Sequence, residues 1–173
     1  IYLSIRSGTF SRICGTNCEA PQRGQFCKFS FKDLTSNFIN HTSSISCPFN
    51  RSYAWSIICH YGYISTTTIN VSKCNIDFAI LGVYDTNTDL LYRFTTIVNN
   101  TGEIPLCFSH RSKFKTFTGE LVNLVHNKHT NIGYVGLIYT SNCNAILQQF
   151  NIRDNEYDKI HHMGKPGTLK LLE

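Results

Sequence analysis

Apolar and polar residues alternate along most of this chain. "KFSFKDL", "YAWSIIC" and "YGYISTTTINV" set aromatic and β-branched side chains two apart, the period of a strand with one buried face. Trp55 and Tyr53 fall on one such face, Ala54 and Ser56 on the other. "IDFAILGVY" is almost continuously apolar and reads as a central strand buried on both sides. The turn "DTNTD" and the returning run "LLYRFTTIV" make residues 76–98 an expected β-hairpin. "NIGYVGLIYT" and "AILQQFNI", joined by the turn "SNCN", are expected to form a second strand pair.

The period changes at "SKFKTFTGELVNLVHNK". Phe114, Phe117, Leu121, Leu124 and Val125 fall at steps of three, four, three and one, which predicts an amphipathic helix. Ser112 would cap its start, and Gly119 inside it would mark close packing on a sheet. The expected fold is therefore α+β: a mainly antiparallel sheet with one amphipathic helix packed on a face. Residues 1–155 form one expected domain, and the Gly- and Pro-punctuated stretch 156–173 reads as a polar C-terminal tail. No internal repeat stands out.

Composition moves the picture toward a particular compartment. The chain has 173 residues, of which 42% are hydrophobic and only 16% charged, so it is rich enough to build a core yet poor in ionic surface. The net charge of +5 is scattered and forms no basic stripe of the kind nucleic acid requires. Eight cysteines, Cys14, Cys18, Cys27, Cys47, Cys59, Cys74, Cys107 and Cys143, lack zinc-ligand spacing and are expected to staple the fold as disulfides in an oxidising compartment. Four N-glycosylation sequons start at Asn40, Asn50, Asn70 and Asn99. They would supply, as N-linked glycans, the solubility that charge does not. No apolar run reaches the length of about 18 residues that a membrane helix needs. A disulfide-bonded chain opening on "IYLSIRSGTF" reads as a mature extracellular fragment of a longer precursor.

Motifs for chemistry are missing. No nucleophile elbow, P-loop or dinucleotide fingerprint occurs. His126 and His129 would share the end of the predicted helix, where a cationic side chain suits the dipole, and no carboxylate stands at helical spacing to complete a metal site. The expectation is a non-enzymatic protein with no metal or cofactor. Candidate partner-binding residues are Arg111, Lys113 and Lys115 beside the predicted helix, with Arg51 and Tyr53 in the aromatic stretch "NRSYAWSIICHYGY". Seven histidines in a charge-poor chain also suggest an interface that weakens near pH 5–6.

A sugar-bearing, cysteine-rich chain of this size, ending "LKLLE", resembles the ectodomain pieces of viral envelope proteins. In format it is similar to the receptor-binding subunit of arenavirus glycoproteins. Lys170, Leu171, Leu172 and Glu173 stand where those subunits carry a convertase cleavage motif, with lysine in place of the usual arginine. The tryptophan-x-x-histidine-cysteine stretch of those subunits has no counterpart here, Trp55 being the sole tryptophan. The resemblance implies a virion-surface or secreted protein that binds a host cell-surface protein receptor to mediate attachment and entry. It also implies association with a membrane-anchored fusion subunit of the same precursor, and no contact with nucleic acid. A secreted viral protein that sequesters a host cytokine, chemokine or immune receptor is the alternative, and a host extracellular adhesion module a third.

Overall fold

The computed structural model describes residues 2–6, 8–18, 27–31, 36–46, 55–60, 63–84, 90–109, 115–129, 136–164 and 166–173. Every strand pairing among them is parallel, and together the strands build a β-solenoid of stacked rungs. The first rung holds β1 (Tyr2–Ile5), β2 (Thr9–Ser11) and β3 (Cys14–Thr16). The next four are β4 (Cys27–Phe31) with β5 (Ser36–Ile45), β6 (Trp55–His60) with β7 (Tyr63–Ser72), β8 (Asn75–Tyr84) with β9 (Leu90–Val98), and β10 (Thr101–Ser109) with β11 (Lys115–Val125). The sixth has β12 (Ile138–Ser141), β13 (Cys143–Gln148) and β14 (Asn151–Arg153), and the last β15 (His161–Met163) and β16 (Thr168–Leu172). Sheet A runs β1-β4-β6-β8-β10-β12-β15. Sheet B runs β16-β13-β11-β9-β7-β5-β2, with β14 on β11 and β3 on β5.

This corrects the α+β, antiparallel expectation. The would-be hairpin 76–98 is two strands in different sheets, β8 in A and β9 in B. The pair at 131–152 is split in the same way between β12 and β13. The predicted helix is β11, apart from its first residues, which lie outside the described set. Residues 156–173, expected as a tail, supply β15 and β16.

The helical period of β11 has a simple origin. Phe117, Gly119, Val122 and Leu124 face the lumen and are buried, so the inward steps are two, three and two. The step of three occurs because Leu121 has φ 55° and turns the chain at that point. A strand with one bend thereby mimics three-four spacing. Gly119 does mark close packing: a Cβ there would lie 2.8 Å from both Leu147 Cδ2 and Val122 Cγ2.

The same bend recurs at Arg12, His41, Thr68, Phe94, Leu121 and Gln149, all with positive φ. A second bend recurs at Asn17, Ser46, Lys73, Asn99, His126 and Asp154. Each series advances by 26 to 29 residues, so the chain is an internal repeat after all. The register aligns "TFSRICGTNC", "FINHTSSISC", "STTTINVSKC", "LYRFTTIVNN", "TGELVNLVHN" and "ILQQFNIRDN". What repeats is the spacing of inward positions and a Cys or Asn at the close of each segment.

The lumen is filled from both sheets. Phe108 of β10 stacks on Phe117 of β11 at 5.0 Å and meets Tyr92 of β9 edge-on at 6.2 Å. Nearer the start, Phe10, Phe29 and Phe31 form another aromatic group, with Phe10 and Phe29 at 5.1 Å. Burial of such side chains, at roughly 1.5–3 kcal/mol each, is the main stabilising contribution.

Disulfide stapling was part of the expected fold, and it is not what holds the described residues. Cys14, Cys27, Cys107 and Cys143 are free thiols. Parallel stacking scatters them: Cys14 is exposed on β3, whereas Cys27, Cys107 and Cys143 are buried in sheets A and B. Burial pushes the Cys27 thiol up to about 12 and that of Cys143 to about 11. It raises Cys107 further still, against a partly offsetting hydrogen bond with Tyr84. A thiol so desolvated is a small apolar group with little reactivity. Cys47 and the side chain of Cys59 lie outside the described residues.

The second bend is held by a ladder that cysteines share with asparagines. Cys18, Cys74, Asn100, Asn127 and Asn155 each follow one of its bend residues. The Asn100 side chain accepts from Cys74 N at 2.9 Å and donates to Val71 O at 3.0 Å. Asn127 accepts from Asn100 N at 3.2 Å and donates to Ile97 O at 2.9 Å. Asn155 accepts from Asn127 N at 2.9 Å and donates to Leu124 O at 2.7 Å. The amides also bond to one another, Asn100 to Asn127 at 3.1 Å and Asn127 to Asn155 at 2.9 Å. Each amide satisfies backbone groups that the turn would otherwise bury unpaired.

Candidate functional site

The two sheets differ on the side facing away from the lumen. In its middle rungs sheet A is buried there too, with Ala79, Ile104 and Cys107 of β8 and β10 in a second apolar cluster. The outer side of sheet B is half exposed and mostly polar, with Phe38 and Ile45 of β5 also exposed. On one flank of the first bend its register stacks Ser11, Asn40, Thr67, Arg93, Glu120 and Gln148. On the other it stacks Cys14, Ser43, Asn70, Thr96, Asn123 and Asn151. Thr67 Oγ1 donates to Asn40 Oδ1 at 2.8 Å. Arg93 Nε donates to Glu120 Oε2 at 2.8 Å, joining the fourth and fifth rungs by an ion pair.

Between these flanks runs the bend itself, and two of its residues do not suit it. Phe94 has φ 53° and is 50% exposed, and Leu121 has φ 55° and is 39% exposed. A left-handed backbone costs an ordinary L-residue roughly 1–2 kcal/mol, and bulky residues are outliers in it. Nothing in the packing rewards an apolar side chain here, since the bend points it to solvent. The other bend positions carry Arg12, His41, Thr68 and Gln149. Strain and an exposed apolar side chain coincide at these two positions, which makes them the candidate contact surface. The register sets Phe94 and Leu121 on adjacent rungs, about 4.8 Å apart in the direction of strand pairing. They form a short ridge flanked by the Arg93–Glu120 pair on one side and Thr96 and Asn123 on the other.

Sequence reasoning named other residues. Arg51, Tyr53, Arg111 and Lys113 lie outside the described residues, as does Asn50. Lys115 opens β11, half-buried, opposite Cys143. Asn40 and Asn70 are half-buried on the outer side of sheet B, and Asn99 is exposed at the second bend with φ 54°. Among the described residues, the structure does not bring Asn40, Asn70 or Asn99 together with Lys115. His126 is a bend residue 3.7 Å from Asp154, and His129 meets the Tyr157 ring edge-on at 5.5 Å. They stand at a solenoid corner and not at a helix end.

The ridge was missed because its signal exists only in the aligned repeat. There, the fourth position of each ten-residue segment is always the bend, and Phe94 and Leu121 are its two apolar occupants. Among the described residues no group of three His, Cys, Asp or Glu side chains is placed to hold a metal ion. No helix of the described residues is long and apolar enough to cross a membrane. The described site offers one aromatic and one aliphatic side chain, a neutralised ion pair, an amide and a hydroxyl, which are means of binding. Comparison with known protein families, curated proteins and solved structures finds no match.

Proposed function

We propose that this chain is a non-enzymatic recognition module of a surface-exposed or secreted protein, and that it attaches to a host-cell receptor through the Phe94–Leu121 ridge. The observation that carries the reading is the pair of apolar side chains held out to solvent on a strained backbone. Viral attachment is the setting that the sequence format suggests. The layout behind the arenavirus-type resemblance is replaced by a solenoid, so the proposal rests on the ridge. Glycans at the sequons of Asn40 and Asn70 would cover the second and third rungs of this face, and one at Asn99 the second bend after β9, leaving the first bend of the fourth and fifth rungs bare.

The test is binding of the fluorescent, secreted chain to a panel of mammalian cells. Phe94→Ala with Leu121→Ala is expected to abolish binding to any cell type that the parent chain stains, with an unchanged melting temperature. Ile160→Ser, at an equally exposed apolar residue of the last rung, is expected to bind normally. Equal staining by the parent and the ridge variant would overturn the reading, as would staining of no cell type.

A further inference from the structure

The chemistry of the ridge narrows the ligand. A bare apolar patch would suit a protein partner, but this one is small and closely fenced by polar groups. Arg93 supplies donors and Glu120 acceptors, and their ion pair leaves little net charge. Asn123 and Thr96 supply both kinds from the opposite flank, one on each rung. At its centre is a half-exposed aromatic ring. A pyranose has this same division: an apolar C–H face, and an equatorial belt of hydroxyls that each need a donor and an acceptor. An aromatic ring with flanking amide, hydroxyl and paired charges meets both needs. A phosphate or sulfate ester is disfavoured, because Glu120 occupies the cation it would require. The polar columns repeat with the rungs, so the three rungs from Phe94 through Leu121 to Gln149 span about 10 Å, the reach of a disaccharide.

We infer that the Phe94–Leu121 ridge binds a neutral oligosaccharide, the sugar stacking on Phe94 with its hydroxyls bridging Arg93–Glu120 and Thr96–Asn123. This rests on the recognition reading above and names its ligand. Aromatic shape should matter more than volume: Phe94→Trp should keep binding and Phe94→Leu should lose it.

The experiment has two arms. The intact chain is titrated against immobilised neutral tetrasaccharides built from hexose and N-acetylhexosamine units, alongside Phe94→Trp, Phe94→Leu and Asn123→Ala. Cell staining is repeated after enzymatic removal of surface glycans. The expected result is retention of tetrasaccharide binding by Phe94→Trp, at least tenfold weakening in Phe94→Leu and Asn123→Ala, and loss of staining from stripped cells. If stripped cells are stained as before while the ridge variant stains nothing, the partner is a protein: the recognition reading stands and this inference fails. Failure of every tetrasaccharide to bind overturns it too. Tetrasaccharide binding unaffected by Phe94→Leu would place the sugar elsewhere and also overturn it. All four proteins should melt at similar temperatures, which separates lost contacts from lost folding.

Discussion

Sheets A and B are built by the same parallel pairing at the same spacing, yet in the middle rungs one is dry on both sides and the other is wet on its outer side. In β8 and β10 of sheet A, outward positions are filled by Ala79, Ile104 and Cys107, all fully buried. In β7, β9 and β11 of sheet B, outward positions carry Asn70, Thr96 and Asn123. Backbone geometry therefore does not decide which face meets water. Side-chain chemistry does.

The sharpest way to break this contrast is to place a carboxylate on each outer face. Cys107→Asp would bury an unpaired charge and should destabilise by several kcal/mol, enough to unfold the chain. Asn123→Asp should change stability by no more than about 0.5 kcal/mol. Urea denaturation followed by circular dichroism would show both. Comparable losses would mean that the outer side of sheet B is also covered.

The corner ladder should come next in size. Asn127→Ala removes the acceptor for Asn100 and the donor to Ile97 O, leaving buried backbone groups unpaired. A loss of about 3 kcal/mol is expected, at roughly 1–3 kcal/mol per orphaned group. Asn127→Asp keeps the acceptor but turns a buried carboxylate oxygen on Ile97 O and Asn155 Oδ1, and should lose at least as much.

The lumen offers a change of opposite sign. Thr42, Thr66 and Thr95 bury hydroxyls that have no hydrogen-bond partner among the described residues. Thr95 stands in register with Ile69 and Val122. Thr95→Val keeps the shape and should stabilise by about 1 kcal/mol in the same urea experiment. A loss would indicate that the hydroxyl is satisfied.

The smallest effect concerns the last rung. The ring of His161 lies 2.7 Å from Thr140 Oγ1, and its neighbour His162 stacks on Tyr139 at 5.7 Å. Burial, then the nearby His162, holds His161 below its usual value of 6.5. The unfolded chain therefore takes up this proton first. The contribution of neutral His161 is complete above about pH 6.5 and is lost as pH falls through the lowered folded value. Amide exchange, corrected for its intrinsic pH dependence, should show β15 less protected at pH 5 than at pH 7.5. His161→Asn should remove that difference.

Strand content was legible in the chain, because inward residues alternate within each half of every long strand. "IDFAILGVY" also announced burial on both sides, which holds from Ala79 to Val83, since an almost continuously apolar run has little face to give to water. Pairing direction was not legible. A short turn after an apolar run fits a hairpin and a solenoid corner equally well, and the choice depends on strands some 27 residues away. The helix expected around Leu121 failed for a related reason: a single bend shifts the phase of alternation and imitates a helical stripe. The cysteines misled because half of their meaning was positional. Cys18 and Cys74 fill a column that asparagine fills in later rungs, and no count of cysteines could reveal that equivalence.

A stack whose layers make strand pairs only with the layers beside them is modular in length. Cutting out the whole segment that separates Lys73 from Asn99 would join two corners of like conformation and keep the lumen in phase. Deleting one residue inside β9 would instead turn the neighbouring side chains inside out. For such a molecule, gaining or losing an entire floor is a gentler event than losing a single brick.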